Sequence, residues 1–119
     1  MHALIIEDEA LVALSIEDAL RDCGCDTFDH VFSVEAAILA AANRQPDLVT
    51  ADVQLSPGCG IDAVEAICEF RRIPVFFITG TAAEVRLRLP DHLVVDKPFR
   101  PDQIAAAVRT VMPQMLGAA

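Results

Sequence analysis

The sequence predicts an α/β fold, a doubly wound parallel sheet of five strands with helices on both faces. Three observations predict it. Short apolar runs rich in β-branched residues alternate five times with segments whose apolar positions recur at helical spacing. Turn residues punctuate the junctions, and neither a linker nor an internal repeat interrupts the pattern. Hydrophobic residues make up 54% of the 119 positions, enough for one core buried on two faces.

Ala3-Leu4-Ile5-Ile6 is too short for a helix and reads as a buried strand. Residues 10–23 follow with Val12, Ile16, Ala19, Leu20 and Cys23 at helical spacing, and Gly24 suits the end of that helix. Residues 26–32 form a weaker strand that Asp26, Asp29 and His30 dilute, as an edge strand protected against pairing would be. Ser33 is a good N-cap for a helix over roughly 34–44 that turns Val34, Ile38 and Ala41 inward.

Pro46-Asp47 breaks the chain before the strand 48–52, Leu48-Val49-Thr50-Ala51-Asp52. Ser56-Pro57-Gly58-Cys59-Gly60 is a loop by its turn residues. A helix over about 61–71 comes next, with Ile61, Val64, Ile67 and Cys68 on one side. Val75-Phe76-Phe77-Ile78 is a fully apolar strand; Thr81 to Arg88 can make only a short fourth helix before Pro90. Leu93-Val94-Val95 is the fifth strand, and Pro101 sits well in the first turn of a last helix that carries Ile104, Val108 and Val111 inward.

Composition narrows the function classes. No apolar run approaches the ~20 residues that cross a bilayer, and acids at residues 7–9 interrupt the start as no signal peptide would. A soluble cytoplasmic protein without membrane insertion is expected. Cys23, Cys25, Cys59 and Cys68 make no zinc pattern with the three histidines and read as reduced packing residues. The net charge of −9 is uneven: residues 1–70 balance at −12 and residues 71–119 at +3. The acidic half argues against direct nucleic-acid binding.

In a parallel sheet of this kind the ligand site lies at the carboxyl ends of the strands. Asp8, Asp52, Thr79 and Lys97 all fall at or just past such ends. Asp8 and Asp52, with Glu7 or Glu9 beside them, would place several carboxylates in one pocket. At ~4 Å and an effective dielectric of ~20, each like-charge pair costs on the order of 4 kcal/mol. The cluster must take up a proton, bind a cation or splay apart, and its hard oxygens suit Mg²⁺. Asp52 could then act as a nucleophile towards a phosphoryl group, with the Thr79 hydroxyl and the Lys97 charge on its oxygens. Each residue alone means little, since an Asp ending a strand is usually a turn residue or cap. The signal is their recurrence at successive strand ends.

Two other classes fit less well. A flavin carrier of the same topology needs a phosphate-cradling loop after the first strand, where Glu7-Asp8-Glu9 would repel a phosphate. A phosphatase of the haloacid dehalogenase type would place a second Asp where Asp52-Val53-Gln54 has an amide.

With these residues in place, the chain resembles the receiver domain of two-component response regulators along practically its whole length. The matching pieces are Leu4-Ile5-Ile6-Glu7-Asp8-Glu9, Pro46-Asp47-Leu48-Val49-Thr50-Ala51-Asp52, Phe77-Ile78-Thr79-Gly80 and Asp96-Lys97-Pro98-Phe99. The resemblance implies a flavodoxin-like (βα)5 sheet of order 2-1-3-4-5 and phosphorylation of Asp52 by a sensor histidine kinase or histidine phosphotransfer protein with Mg²⁺. It implies Asp8 as the main metal-binding acid, Glu7 as the outer-sphere acid, and Asp52 and the Gln54 backbone carbonyl as further ligands. Thr79 and Gly80 would form the switch, Lys97 would pair with the phosphate, and Gln54 and Thr81 would tune dephosphorylation. The Lys97-Pro98 peptide bond is expected to be cis.

Three departures stand out. The aromatic switch position is Val94 here. The segment between Thr79 and Lys97 is short. The loop from Gln54 to Asp62, with the Phe-Ile-Thr-Gly stretch, looks like those of stand-alone and stress-response receivers of alphaproteobacterial type. Only residues 113–119 follow the last helix, so a single domain over 1–119 is expected, acting as a stand-alone regulator, relay intermediate or phosphate sink. No enzymatic activity is expected beyond self-catalysed phosphoryl transfer and autodephosphorylation. Its partners would be the kinase or phosphotransfer protein and a downstream protein target, with homodimer formation on phosphorylation as a further expectation. The alternative is a phosphorylation-independent receiver that acts as a protein-binding module.

Overall fold

The computed structural model describes residues 1–69 and 71–113. Five strands, β1 (His2–Ile6), β2 (Thr27–Val31), β3 (Leu48–Ala51), β4 (Val75–Thr79) and β5 (Leu93–Asp96), form one parallel sheet of order β2-β1-β3-β4-β5. The helices are α1 (Ala10–Asp22), α2 (Val34–Asn43), α3 (Gly60–Ile67), α4 (Ala82–Arg88) and α5 (Pro101–Val111). Registers such as Ile6↔Ala51, Ala51↔Phe77 and Thr79↔Asp96 align the carboxyl ends of the inner strands on one edge.

The period-two geometry of the strands sorts the apolar residues into two layers. Ala3, Ile5, Leu48, Phe76, Ile78 and Val95 face α1 and α5, where Ile16, Leu20, Ile104 and Val108 complete a core. Leu4, Ile6, Val49, Ala51, Val75 and Phe77 face the other way, against Ala37, Ile61, Val64 and Val85. Phe76 and Phe77 are neighbours in sequence and both fully buried, so each anchors a different layer. Burial of each ring contributes about 3 kcal/mol.

Helix ends follow local chemistry. Cys25 N–H donates to the Leu20 carbonyl and Gly24 N–H to that of Arg21, with Gly24 at φ 104°; these are the two bonds of a Schellman stop. Ser33 accepts from Ala36 N–H at 3.2 Å and caps α2, worth about 1 kcal/mol. Two expectations need correction. Ile38 does not turn inward: it is 40% exposed, and α2 seats instead through Ala37, from which Ile38 lies about 100° round the helix. The third helix ends at Ile67 rather than near 71, with Cys68 as its C-cap. The tail at 114–119 lies outside the described residues. No described helix is long and apolar enough to cross a membrane.

Candidate functional site: an acidic cluster bridged by Lys97

Glu7, Asp8 and Glu9 occupy the turn between β1 and α1, just past the carboxyl end of β1. Glu7 is fully buried. Its N–H donates to the Val31 carbonyl at 3.0 Å, and its carbonyl accepts from His30 Nε2 at 2.8 Å. A carbonyl only accepts, so His30 carries its proton on Nε2. The turn is thus clamped from β2 on both backbone groups of Glu7.

Asp52 follows β3, with its N–H on the Ile6 carbonyl at 2.9 Å. Lys97 follows β5 and reaches back across the sheet. Its Nζ donates to Asp52 Oδ2 and to Glu7 Oε1, each at 2.8 Å. Glu7 Oε2 accepts from Glu9 N–H at 3.1 Å, and Asp52 Oδ1 accepts from Gln54 N–H at 3.3 Å. The Lys97-Pro98 peptide bond is cis, and so is Ser56-Pro57, which the sequence did not announce.

Burial raises the Glu7 pKa above the ordinary carboxylate value by penalising its ionised form. The hydrogen bonds from Lys97 and from the Glu9 amide pull it partly back, while the Asp52 charge pushes it further up. For Lys97, burial pulls down, but the hydrogen bonds to Asp52 and Glu7 and their charges outweigh it, and the net shift is upward. The ammonium is therefore held charged, and its contribution to stability is lost only as pH rises through that raised value.

Carboxylate oxygens of Glu7, Asp8 and Asp52 all lie within 4.8 Å of one another. Three carboxylates against one ammonium leave a formal charge of −2. Hard oxygen donors with that charge fit a divalent cation, and Asp8, half-buried at the rim, is the member open to solvent.

Thr79, at the end of β4, is buried. Its Oγ1 accepts from Thr81 N–H at 3.1 Å and lies 3.1 Å from Thr81 Oγ1. Its carbonyl accepts from Lys97 N–H at 3.0 Å, which ties the β4 and β5 ends together. Gly80 is exposed, with nothing near its absent Cβ. Val94 pairs with Phe77 in the sheet and packs half-buried against the α2–α4 layer. The α4 helix has seven residues, and Arg88 in its last turn binds Asp62 at 2.8 Å and Glu65, both on α3.

The expected residues Glu7, Asp8, Asp52 and Lys97 are therefore brought to one cluster, with Gln54 touching it through its backbone, Thr79 behind Lys97, and Thr81 on Thr79. Two contributors had no sequence signal. His30 reaches Glu7 only because β2 pairs with β1 in the register Ile5↔His30. Gly60, read as an ordinary turn residue, starts α3 directly on Asp52: a Cβ there would fall 1.7 Å from the Asp52 carbonyl oxygen.

Residues 3–109 match the response regulator receiver domain family. The chain is 32% identical over 109 residues to the phyllosphere-induced regulator PhyR of Methylorubrum extorquens, covering 88% of this chain and 41% of PhyR. The receiver domain of Erythrobacter litoralis PhyR superposes with a TM-score of 0.79 at 36% identity, covering 98% of this chain and 89% of that one. The anti-anti-sigma factor PhyR of Bartonella quintana gives a TM-score of 0.84 at 32% identity, over 98% of this chain and 49% of that one. The chain thus spans less than half the length of these full PhyR proteins. With the flavodoxin-like sheet order and the match over nearly the whole chain, it belongs to the response regulator receiver domain family.

Proposed function

We propose that this receiver takes a phosphoryl group on Asp52 from a histidine kinase or histidine phosphotransfer protein and passes the change to a protein target. The observation that supports it most is Lys97 Nζ, shared between Asp52 Oδ2 and Glu7 Oε1 inside a cluster of net charge −2. A carboxylate oxygen of Asp52 attacks the phosphorus, the P–N bond to the donor imidazole breaks, and the imidazole leaves with its electron pair and takes up a proton. Lys97 stays as the fixed cation beside the new phosphoryl oxygens, and Glu7 holds Lys97 in place. Asp8, Asp52 and the Gln54 carbonyl would hold Mg²⁺, with Glu7 behind them; bound there, the ion offsets the charge of the arriving phosphoryl group. Water attack on the acyl phosphate returns Asp52, and Gln54 and Thr81 tune that step. By likeness to PhyR, an anti-anti-sigma factor in Bartonella quintana, the target is proposed to belong to sigma-factor control.

A second reading, a protein-binding module that works without phosphorylation, is favoured by Val94 and by the seven-residue α4. Titration with Mg²⁺ and beryllofluoride, which stands in for the phosphoryl group, separates the two. The first reading expects amide NMR shifts across residues 79–99. An unchanged spectrum there would favour the second.

A further inference from the structure

Thr81 occupies the N-cap position of α4, where a threonine hydroxyl ordinarily accepts from an N–H of the first helical turn. It makes no such bond. Its hydroxyl lies 3.1 Å from Oγ1 of Thr79, and its N–H donates to the same oxygen at 3.1 Å. Among the described residues these are the hydrogen bonds of the Thr79 side chain, which is 1% exposed. The side chains of Asp52 and Lys97 are bonded to each other instead. A capping bond that would support a very short helix is given up for a contact with the Thr79 hydroxyl.

We infer that Thr81 is a positioning residue: it latches the Thr79 hydroxyl in the resting state and sets how readily that hydroxyl turns to an anion on Asp52. This rests on the reading of Asp52 as phosphoacceptor and of Thr79 as the hydroxyl that meets it. A hydroxyl has one proton and two lone pairs. One lone pair of Thr79 Oγ1 takes the Thr81 N–H, and the contact with Thr81 Oγ1 engages either the proton or the second lone pair. In the latched arrangement the hydroxyl is held towards Thr81, and on this inference donation to a phosphoryl oxygen involves a turn about χ1 that gives up both contacts. Its β-branched side chain has few staggered positions, so the change is between discrete states. The amide contact survives any side chain but proline at 81; the hydroxyl contact needs a hydroxyl there.

Thr81→Val keeps the shape and removes the hydroxyl, and Thr81→Ser keeps the hydroxyl. Without any ligand, side-chain three-bond couplings of Thr79 should report one χ1 rotamer in the parent and in Thr81→Ser, and a second populated rotamer in Thr81→Val. A single unchanged rotamer in Thr81→Val overturns the latch, whatever the chemistry at Asp52. With Mg²⁺ and beryllofluoride, Thr81→Val should bind about three- to tenfold more tightly than the parent, and Thr81→Ser like the parent. The gain should vanish when Thr79→Ala is added. Equal affinity, or a gain undiminished in the Thr79→Ala background, also overturns it. If the parent and Asp52→Asn respond to beryllofluoride alike, the phosphoacceptor reading has failed, and the rotamer result still decides what Thr81 does.

Discussion

Gly60→Ala is expected to lose about 3 kcal/mol or more of stability, although it adds one methyl group. The reason is the obstacle that methyl meets. An ideal Cβ at Gly60 would sit 1.7 Å from the Asp52 carbonyl oxygen and 2.8 Å from its carbonyl carbon. Both atoms are backbone, so no side chain can swing away. Either α3 or the end of β3 must move, and α3 is also held by Gly60 N–H on the Val53 carbonyl at 2.8 Å. Ile61, Ala63 and Val64, all buried on α3, would lose contacts with the sheet as it shifted. Chemical denaturation measures the loss, and a change below about 1 kcal/mol would mean that α3 does not approach Asp52 this closely. Because the displaced backbone carries Asp52, the variant should also accept phosphoryl groups poorly at temperatures where it stays folded.

Lys97→Met should cost about 2–4 kcal/mol in metal-free solution, because it strands two carboxylates that share one ammonium. Glu7 is fully buried, and methionine keeps the apolar stem, so the loss is one of charge rather than of packing. The sign of the pH dependence follows. Burial already raises the Glu7 pKa, and Lys97 is the main group opposing that rise. Without Lys97 the folded-state value climbs further, so the defect is present above that value and shrinks as pH falls through it and Glu7 takes up a proton. Added Mg²⁺ should recover more stability in the variant than in the parent. A loss independent of both pH and Mg²⁺ would show that the effect is not electrostatic.

Most of the sheet was legible because its strands are buried on both faces. Ala3 to Ile6 and Val75 to Ile78 are continuous apolar runs, Leu48 to Ala51 is broken only by Thr50, and such runs between helical segments leave few alternatives. The edge position of β2 was legible too, from the polar residues in Thr27–Val31. What misled was rotation. Helical spacing marks a face, yet α2 is apolar around much of its girth; Ala37 faces the sheet and Ile38, about 100° round the helix, is left exposed. At the site, the residues at strand ends could be read because topology alone gathers them. Their pairings could not: Lys97 with buried Glu7 as well as Asp52, His30 on the Glu7 carbonyl, and Thr81 on Thr79 depend on register and rotamer. The aliphatic Val94 was visible in the sequence, and its half-buried place against the α2–α4 layer was not.

Asp52 is the proposed nucleophile of the acidic cluster. Its most direct test is incubation with radiolabelled acetyl phosphate, with and without Mg²⁺, followed by measurement of base-labile label on the protein. Mg²⁺-dependent label is expected on the parent and none on Asp52→Asn. Equal labelling of Asp52→Asn, or label on the parent that is indifferent to Mg²⁺, would contradict it.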